Sequence, residues 1–154
     1  MDVLIEEAIV GDAEAILSLQ KLAYQSEAEL YQDFALPPLV ETLDQVRSRF
    51  QDYLILKAGV GDRLVGAVQG RLLDRVCSIA RLIVHPHFQN RGIGTRLVVT
   101  LESRFPHARR FELFTGHRSE KSIHLYEKLG YRVFKTVPEH QRLTLVYLEK
   151  RGGG

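Results

Sequence analysis

The stretch Val84-His85-Pro86-His87-Phe88-Gln89-Asn90-Arg91-Gly92-Ile93-Gly94-Thr95-Arg96-Leu97 decides how the rest of the chain is read. The apolar run Leu82-Ile83-Val84 reads as a strand that stops at His85-Pro86. A polar turn follows, and Gly92 and Gly94 open a segment in which Ile93, Leu97, Leu101 and Phe105 recur at helical spacing. A strand, a glycine-bearing turn and a helix start make an anion site. Glycines let the backbone come close, the first helical N–H groups have no internal partner, and the helix dipole favours negative charge there. The turn therefore predicts a phosphate-bearing ligand. It lacks the lysine and hydroxyl of a P-loop and the third glycine of the dinucleotide fingerprint, so from this stretch alone a plain strand-to-helix turn stays open.

The whole chain narrows the function. Its 154 residues are 45% hydrophobic and 26% charged, which suits one soluble domain with a real core, residues 1–150, followed by a flexible glycine tail, 151–154. The net charge of +2 and the lack of a lysine/arginine block argue against a nucleic-acid partner, while mild basicity suits a phosphate-rich small ligand. The only cysteine, Cys77, lies in an apolar run and reads as a buried structural thiol. A disulfide framework is excluded, and a cytoplasmic, reducing location is expected. No stretch reaches membrane-span length, and the acidic N-terminus is unlike a signal peptide, so no membrane partner is expected.

In chain order, Val3 to Ile9 reads as a strand, and Asp12 as the cap of a helix carrying Ile16, Leu19 and Ala23. Ser26 to Leu36 is irregular, and Pro37-Pro38 ends anything helical there. Thr42 with Gln45 forms a capping box for a second helix with Leu43, Val46 and Phe50 on one face. Tyr53 to Ala58, Leu64 to Leu73 and Val76 to His85 are strands, the last two joined by a hairpin at Asp74-Arg75. A third helix follows the glycine turn, then a strand from Arg110 to Thr115. A fourth helix, Ser119 to Leu129, is closed by Gly130, and Tyr131 to Val137 and Arg142 to Glu149 are the last strands. The expected fold class is α/β (α+β): a mixed sheet of about seven strands with four flanking helices.

Helical spacing divides the fourth helix. Glu120, Lys121, His124, Glu127 and Lys128 fall in a polar arc, whereas Ser119, Ser122, Ile123, Leu125, Tyr126 and Leu129 share the other. Tyr126 thus points inward with a hydroxyl that needs a partner, either core backbone or a ligand.

Two stretches then agree. Gln89-Asn90-Arg91-Gly92-Ile93-Gly94 resembles the acetyl-CoA pyrophosphate motif of the GNAT superfamily of N-acetyltransferases. Ser119 through Tyr126 to Gly130-Tyr131 resembles that family's later motif, with Ser119 where an Asn is usual. The resemblance is strongest from Ile79 to Tyr131 and covers essentially the whole chain. It implies a mostly antiparallel sheet splayed between its fourth and fifth strands. It also implies acetyl-CoA as co-substrate, with no metal. The pantetheine arm would bond backbone of Leu82, Ile83 and Val84, and the N–H groups of Gln89, Asn90, Arg91, Gly92, Ile93, Gly94 and Thr95 would wrap the pyrophosphate. Ser119, Ser122 and Tyr126 would complete the site. Serine is shorter than asparagine, so the bond of Ser119 to the pantetheine is lost or bridged by water.

Acetyl transfer from a thioester needs a neutral amine, donors for an oxyanion and a partner for the leaving thiolate. The resemblance puts Tyr126 at the thiolate and a free N–H near Val84 at the oxyanion. The strand before the turn carries no carboxylate, so His85, His117 or a water chain is the expected base. Strand alternation places Ile79, Arg81, Ile83 and His85 on one face. The family's lid falls at Glu29, Tyr31, Asp33, Phe34 and Pro37-Pro38, whose acids and aromatics suit a cationic amine, while Arg71 and Arg81 suit an acidic one. The expected function is an N-acetyltransferase acting on a primary amine of a small molecule or peptide. A CoA-binding regulatory module and an acyltransferase using another acyl-CoA are the alternatives, and whether the chain forms a homodimer is open.

Overall fold

The computed structural model describes residues 2–153. These residues form seven strands and six α-helices, in chain order β1 (Leu4–Glu7), α1 (Ala13–Ala23), α2 (Gln25–Tyr31), α3 (Pro37–Val40), α4 (Leu43–Asp52), β2 (Leu54–Val60), β3 (Arg63–Leu73), β4 (Val76–Val84), α5 (Ile93–Ser103), β5 (Arg110–Gly116), α6 (Glu120–Lys128), β6 (Arg132–His140) and β7 (Leu143–Arg151). The strands form one sheet in the order β1-β2-β3-β4-β5-β7-β6, antiparallel everywhere except between β4 and β5. This is the mixed, mostly antiparallel sheet expected. One face is covered by α5 and α6 around Leu97, Val98, Leu101, Phe111 and Leu148. The other is covered by α1 and α4 around Ile16, Val46 and Ile55, with Leu19 over Ala67 and Ile83.

The sheet splits at its centre. β4 and β5 pair only at Val76↔Arg110, Cys77↔Phe111 and Ser78↔Glu112, beyond which Ile79–Val84 and Leu113–Gly116 diverge. Local signals account for much of the frame. Asp74 and Arg75 have φ of 52° and 65°, the paired left-handed conformations that close a two-residue hairpin. Thr42 Oγ1 accepts from Gln45 N–H at 3.2 Å and Gln45 Oε1 from Thr42 N–H at 2.9 Å, so the capping box is formed. Gly130, at φ 99°, closes α6. Cys77 is fully buried, and burial pushes its thiol up to about 12.

Several expectations are corrected. The segment expected to be irregular holds α2, and Pro37-Pro38 begins α3 rather than ending a helix, because proline fits the first helical turn, where no N–H bond is needed. Among the described residues the α-helices therefore number six, not four. Asp12 holds the N-cap position of α1, but its side chain makes no capping bond; the carboxylate instead accepts from Ile9 N–H at 2.9 Å and pairs with Lys57 Nζ at 2.9 Å. The alternation along β4 breaks at Arg81. Ala67 pairs with Ile83 but Gln69 with Ala80, so Arg81 and Leu82 form a bulge, with Arg81 at φ 53°. Ile79 stays with the α5 core, while Ile83 turns to α1. The sheet also runs into the expected tail: Arg151 pairs with Arg110, and Gly152 N–H donates to Arg109 O at 2.7 Å.

Candidate active site

The split opens a cavity of about 490 Å³. Its walls are Ile79–Val84 from β4, Leu113–Gly116 from β5, and Ser122 and Tyr126 from α6. Its roof comes from α2, α3 and the residues flanking them: Glu27 and Tyr31 on α2, Pro37 and Pro38 on α3, Tyr24 just before α2 and Asp33 just after it. His85 N–H donates to Val65 O at 2.8 Å. Antiparallel alternation then turns the N–H and C=O of Val84 away from β3, toward the gap.

At the top of β4 the chain passes into the glycine turn. Asn90 and Gly92 take left-handed φ of 62° and 79°, the second being the N-cap of α5. The first intrahelical bond is Arg96 N–H to Gly92 O, so the N–H groups of Ile93, Gly94 and Thr95 precede it. A side chain at Gly94 would meet Leu125 Cδ1 at 3.2 Å, so that leucine would have to give by a few tenths of an ångström, and Val84 Cγ2 at an ordinary contact distance of 3.7 Å; the turn sits close over the gap. Ile93 is buried in the α5 core and offers only its backbone. Gln89 lines the cavity, and from there the turn leads outward.

Tyr126 is 7% exposed, and among the described residues its hydroxyl has no hydrogen-bond partner although it borders the cavity. Burial, and then the nearby Tyr24, hold this hydroxyl well above the ordinary tyrosine range. It is therefore a protonated donor at neutral pH.

Ser119 has a different position from the one expected. Its Oγ donates to Glu27 Oε2 at 2.7 Å and lies 2.8 Å from Tyr31 Oη. Its one proton goes to the carboxylate, so Tyr31 donates to Ser119 in turn. Tyr31 Oη also accepts from Arg118 N–H at 2.9 Å. The serine thus fastens α2 to the start of α6 and is not in the cavity wall. Gly116 lies under the Tyr31 hydroxyl, with no room for a Cβ. Arg142 holds the same helix from β7's end, its Nε donating to Tyr31 O at 3.0 Å.

A family model for the acetyltransferase (GNAT) family matches residues 14–131. The chain belongs to this acetyltransferase family. A Bacillus subtilis (strain 168) protein, the UPF0157 protein YqkA, is 29% identical over 136 residues, 86% of this chain and 38% of that one, so the chain spans well under half of its curated relative. Among solved structures, the ribosomal-protein-S18-alanine N-acetyltransferase from Escherichia coli superposes with a TM-score of 0.82 at 15% identity, covering 97% of this chain and 94% of that one. The PaiA N-acetyltransferase from Thermoplasma acidophilum, in complex with coenzyme A, gives 0.79 at 18% identity, covering 98% and 99%. At these identities the likeness is one of fold. Among the described residues no helix is long and apolar enough to cross a membrane.

Within this acetyltransferase frame, Leu82, Ile83, Val84, Gln89, Ser122 and Tyr126 converge on the cavity, as do Tyr31, Asp33 and Arg81. Neither histidine does. His85 Nδ1 accepts from His87 N–H at 3.1 Å and Nε2 faces Arg63 at 3.1 Å. Burial, Arg63 and His87 all lower its pKa. His117 Nδ1 is taken by Thr144 N–H at 3.0 Å, and the ring lies tilted against that of Tyr31, centroids 5.8 Å apart, outside the cavity. Of the other substrate candidates, Glu29 is exposed, Phe34 is 60% exposed, and Arg71 lies over the Tyr53 ring; none lines the cavity. Sequence reasoning missed Tyr24 and Glu27. The signal is present: Tyr24, just before the segment read as irregular, and Glu27, Ala28 and Tyr31 within it recur at helical spacing.

Proposed function

We propose that the chain transfers the acetyl group of acetyl-CoA to a primary amine of a small molecule or peptide, by direct attack within a ternary complex. The observation that carries this reading is the hydroxyl of the buried Tyr126, which has no hydrogen-bond partner among the described residues and borders a sheet gap whose upper edge is the glycine turn. The donor set fits acetyl-CoA: outward backbone groups of Val84 for an extended arm, and the N–H groups of Ile93, Gly94 and Thr95 for a pyrophosphate. Acetyl-CoA supplies the activated thioester.

The chain's own residues supply the rest. Val84 N–H donates to the carbonyl oxygen as negative charge develops on it. Tyr126 donates a hydrogen bond to the departing sulfur. With its hydroxyl above the usual value of ~10, giving its proton to a thiolate of pKa ~8.5 is uphill by at least about 2 kcal/mol, so it stabilises the thiolate while keeping the proton. Glu27, on the roof of the cavity and already joined to Ser119, replaces the histidines as base and takes the amine's proton directly or through water. A reducing, cytoplasmic setting is proposed with this activity.

Thiol release from acetyl-CoA across polyamines, amino acids, aminoglycosides and short peptides tests the reading, with Tyr126→Phe beside the wild type. Amine-dependent release that falls in the variant is expected. Tight acetyl-CoA binding with no release over the whole panel would overturn the reading in favour of a CoA-binding module.

A further inference from the structure

Beside the cavity, α1, α3, α4, β3 and β4 enclose a polar cluster with unequal charges. Glu41 Oε1 accepts from Gln20 Nε2 at 2.8 Å and pairs with Arg49 Nη2 at 3.2 Å. Arg49 also donates to Gln20 Oε1 at 3.0 Å and to Gln69 Oε1. The second guanidinium, Arg81, reaches Glu41 Oε1 only through Nε, at 3.7 Å. Two guanidinium groups therefore share one carboxylate. Glu41 is committed to Arg49 and Gln20, and the side chain of Arg81 is only 22% exposed. Among the described residues Arg81 makes no hydrogen bond through its terminal nitrogens, and Arg81 lines the cavity.

The acids around the cavity do not neutralise it. Glu27 is bonded to Ser119, and Asp33 holds Ala35 N–H and His140. Glu139, at the end of β6, is exposed. Tyr24 stands between the two signs of charge: burial raises its pKa, Arg81 lowers it and Glu27 raises it. A desolvated guanidinium without a full partner is costly, and a planar bidentate acceptor satisfies it best. The backbone makes the same point independently. Arg81 adopts φ 53°, a conformation disfavoured for a residue with a Cβ, and this bulge turns it out of the β4 alternation. Strain of this kind is kept where a side chain must be aimed.

We propose that Arg81 is the specificity residue of the acceptor site and that the acceptor is an amine that also carries a carboxylate, of the size of a free amino acid. The carboxylate pairs with the Arg81 guanidinium, and the amino group faces the acidic side at Glu27. A dianion such as a phosphate would meet Glu27, Asp33 and Glu139 in the same cavity, which favours the single charge of a carboxylate. The amine half of this assignment rests on the acetyl-transfer reading; the carboxylate half does not.

Matched pairs test it: L-amino acids and their α-carboxamides, with acetyl-CoA, on wild type, Arg81→Met and Arg81→Lys. Wild type is expected to prefer acid over amide by about ten- to a hundredfold in kcat/KM, the range for a charge-assisted bond. Arg81→Met brings the acid to within about twofold of its amide through the acid's KM, while Arg81→Lys, which keeps charge but not the planar fork, retains part of the preference. Equal use of acid and amide by wild type, or a preference that survives in Arg81→Met, overturns the proposal. So does a rise in acetyl-CoA KM in that variant, which would assign Arg81 to the co-substrate. If no amine of either kind is acetylated, the acetyl-transfer reading fails, and calorimetric titration of the CoA-loaded protein with the amino acids then decides. Binding of acids but not amides, lost in Arg81→Met, upholds the carboxylate site; no binding overturns it.

Discussion

The two sides of the cavity are built in opposite ways. The glycine turn is one continuous segment whose donors are backbone N–H groups, placed by the left-handed Asn90 and Gly92 and by the start of α5. The side proposed for the acceptor is assembled from distant positions through side chains: Glu27 and Tyr31 on α2 and Arg81 on the β4 bulge, with Ser119 at the start of α6 bracing the first two from behind the wall. A local, backbone-made site tolerates change in most of its side chains but not in its glycines. A site made of long-range side-chain bonds depends on each partner in turn.

The largest expected effect lies where the two sides meet. Tyr126→Phe should lower kcat by about a hundredfold, the scale of one donor lost from developing charge, with little change in acetyl-CoA KM. Steady-state kinetics check this; an equal rise in KM would move Tyr126 into ground-state binding. Glu27→Gln should cost about as much at neutral pH as a lost general base, roughly a hundredfold in kcat/KM for the amine. The deficit should shrink as pH rises toward the amine's own pKa. A deficit constant across pH would make Glu27 a brace for Ser119 and not a base.

A pair of glycine variants separates the sides. Gly92→Ala forces a Cβ into φ 79°, at a cost of about 1–2 kcal/mol, and should raise acetyl-CoA KM several-fold with the acceptor KM unmoved. Gly116→Ala displaces the Tyr31 hydroxyl and should do the reverse. Equal effects of both variants on both substrates would erase the distinction.

The smallest effect is expected at His85. Its folded pKa is lowered, so the unfolded chain binds more protons below about pH 6.5, the ordinary histidine value. The corresponding stability is fully present above that value and is lost as pH falls toward the folded pKa. His85→Gln should flatten this part of the stability profile, read by denaturant titration, and leave the pH–rate profile as it is. A shift in the rate profile would return His85 to the reaction.

What the sequence showed follows the same division. Repeating apolar residues, the capping box at Thr42 and the Asp74-Arg75 hairpin all act over a few residues, and the strands and the glycine turn were legible from them. The β4 bulge was not, because nothing local to Ala80-Arg81-Leu82 requires it; it depends on how β3 and β4 pair. His85 and His117 suited proton transfer as residue types, yet the fold uses their ring nitrogens for Arg63, His87 and Thr144. Ser119 looked like a shortened ligand contact. Its partners, Tyr31 and Glu27, lie far back in the chain, in a segment whose helical spacing went unread.

The short seam between β4 and β5 has a mechanical consequence. The sheet's two halves, β1–β4 and β5–β7, share a ladder of only Val76↔Arg110, Cys77↔Phe111 and Ser78↔Glu112. A molecule lying in the gap and bonded to backbone on its β4 side would act as a strut between them. Under tension the bare protein would part along this seam, and with the gap filled it would resist. Catalytic turnover would then alternate between a stiff molecule and a compliant one.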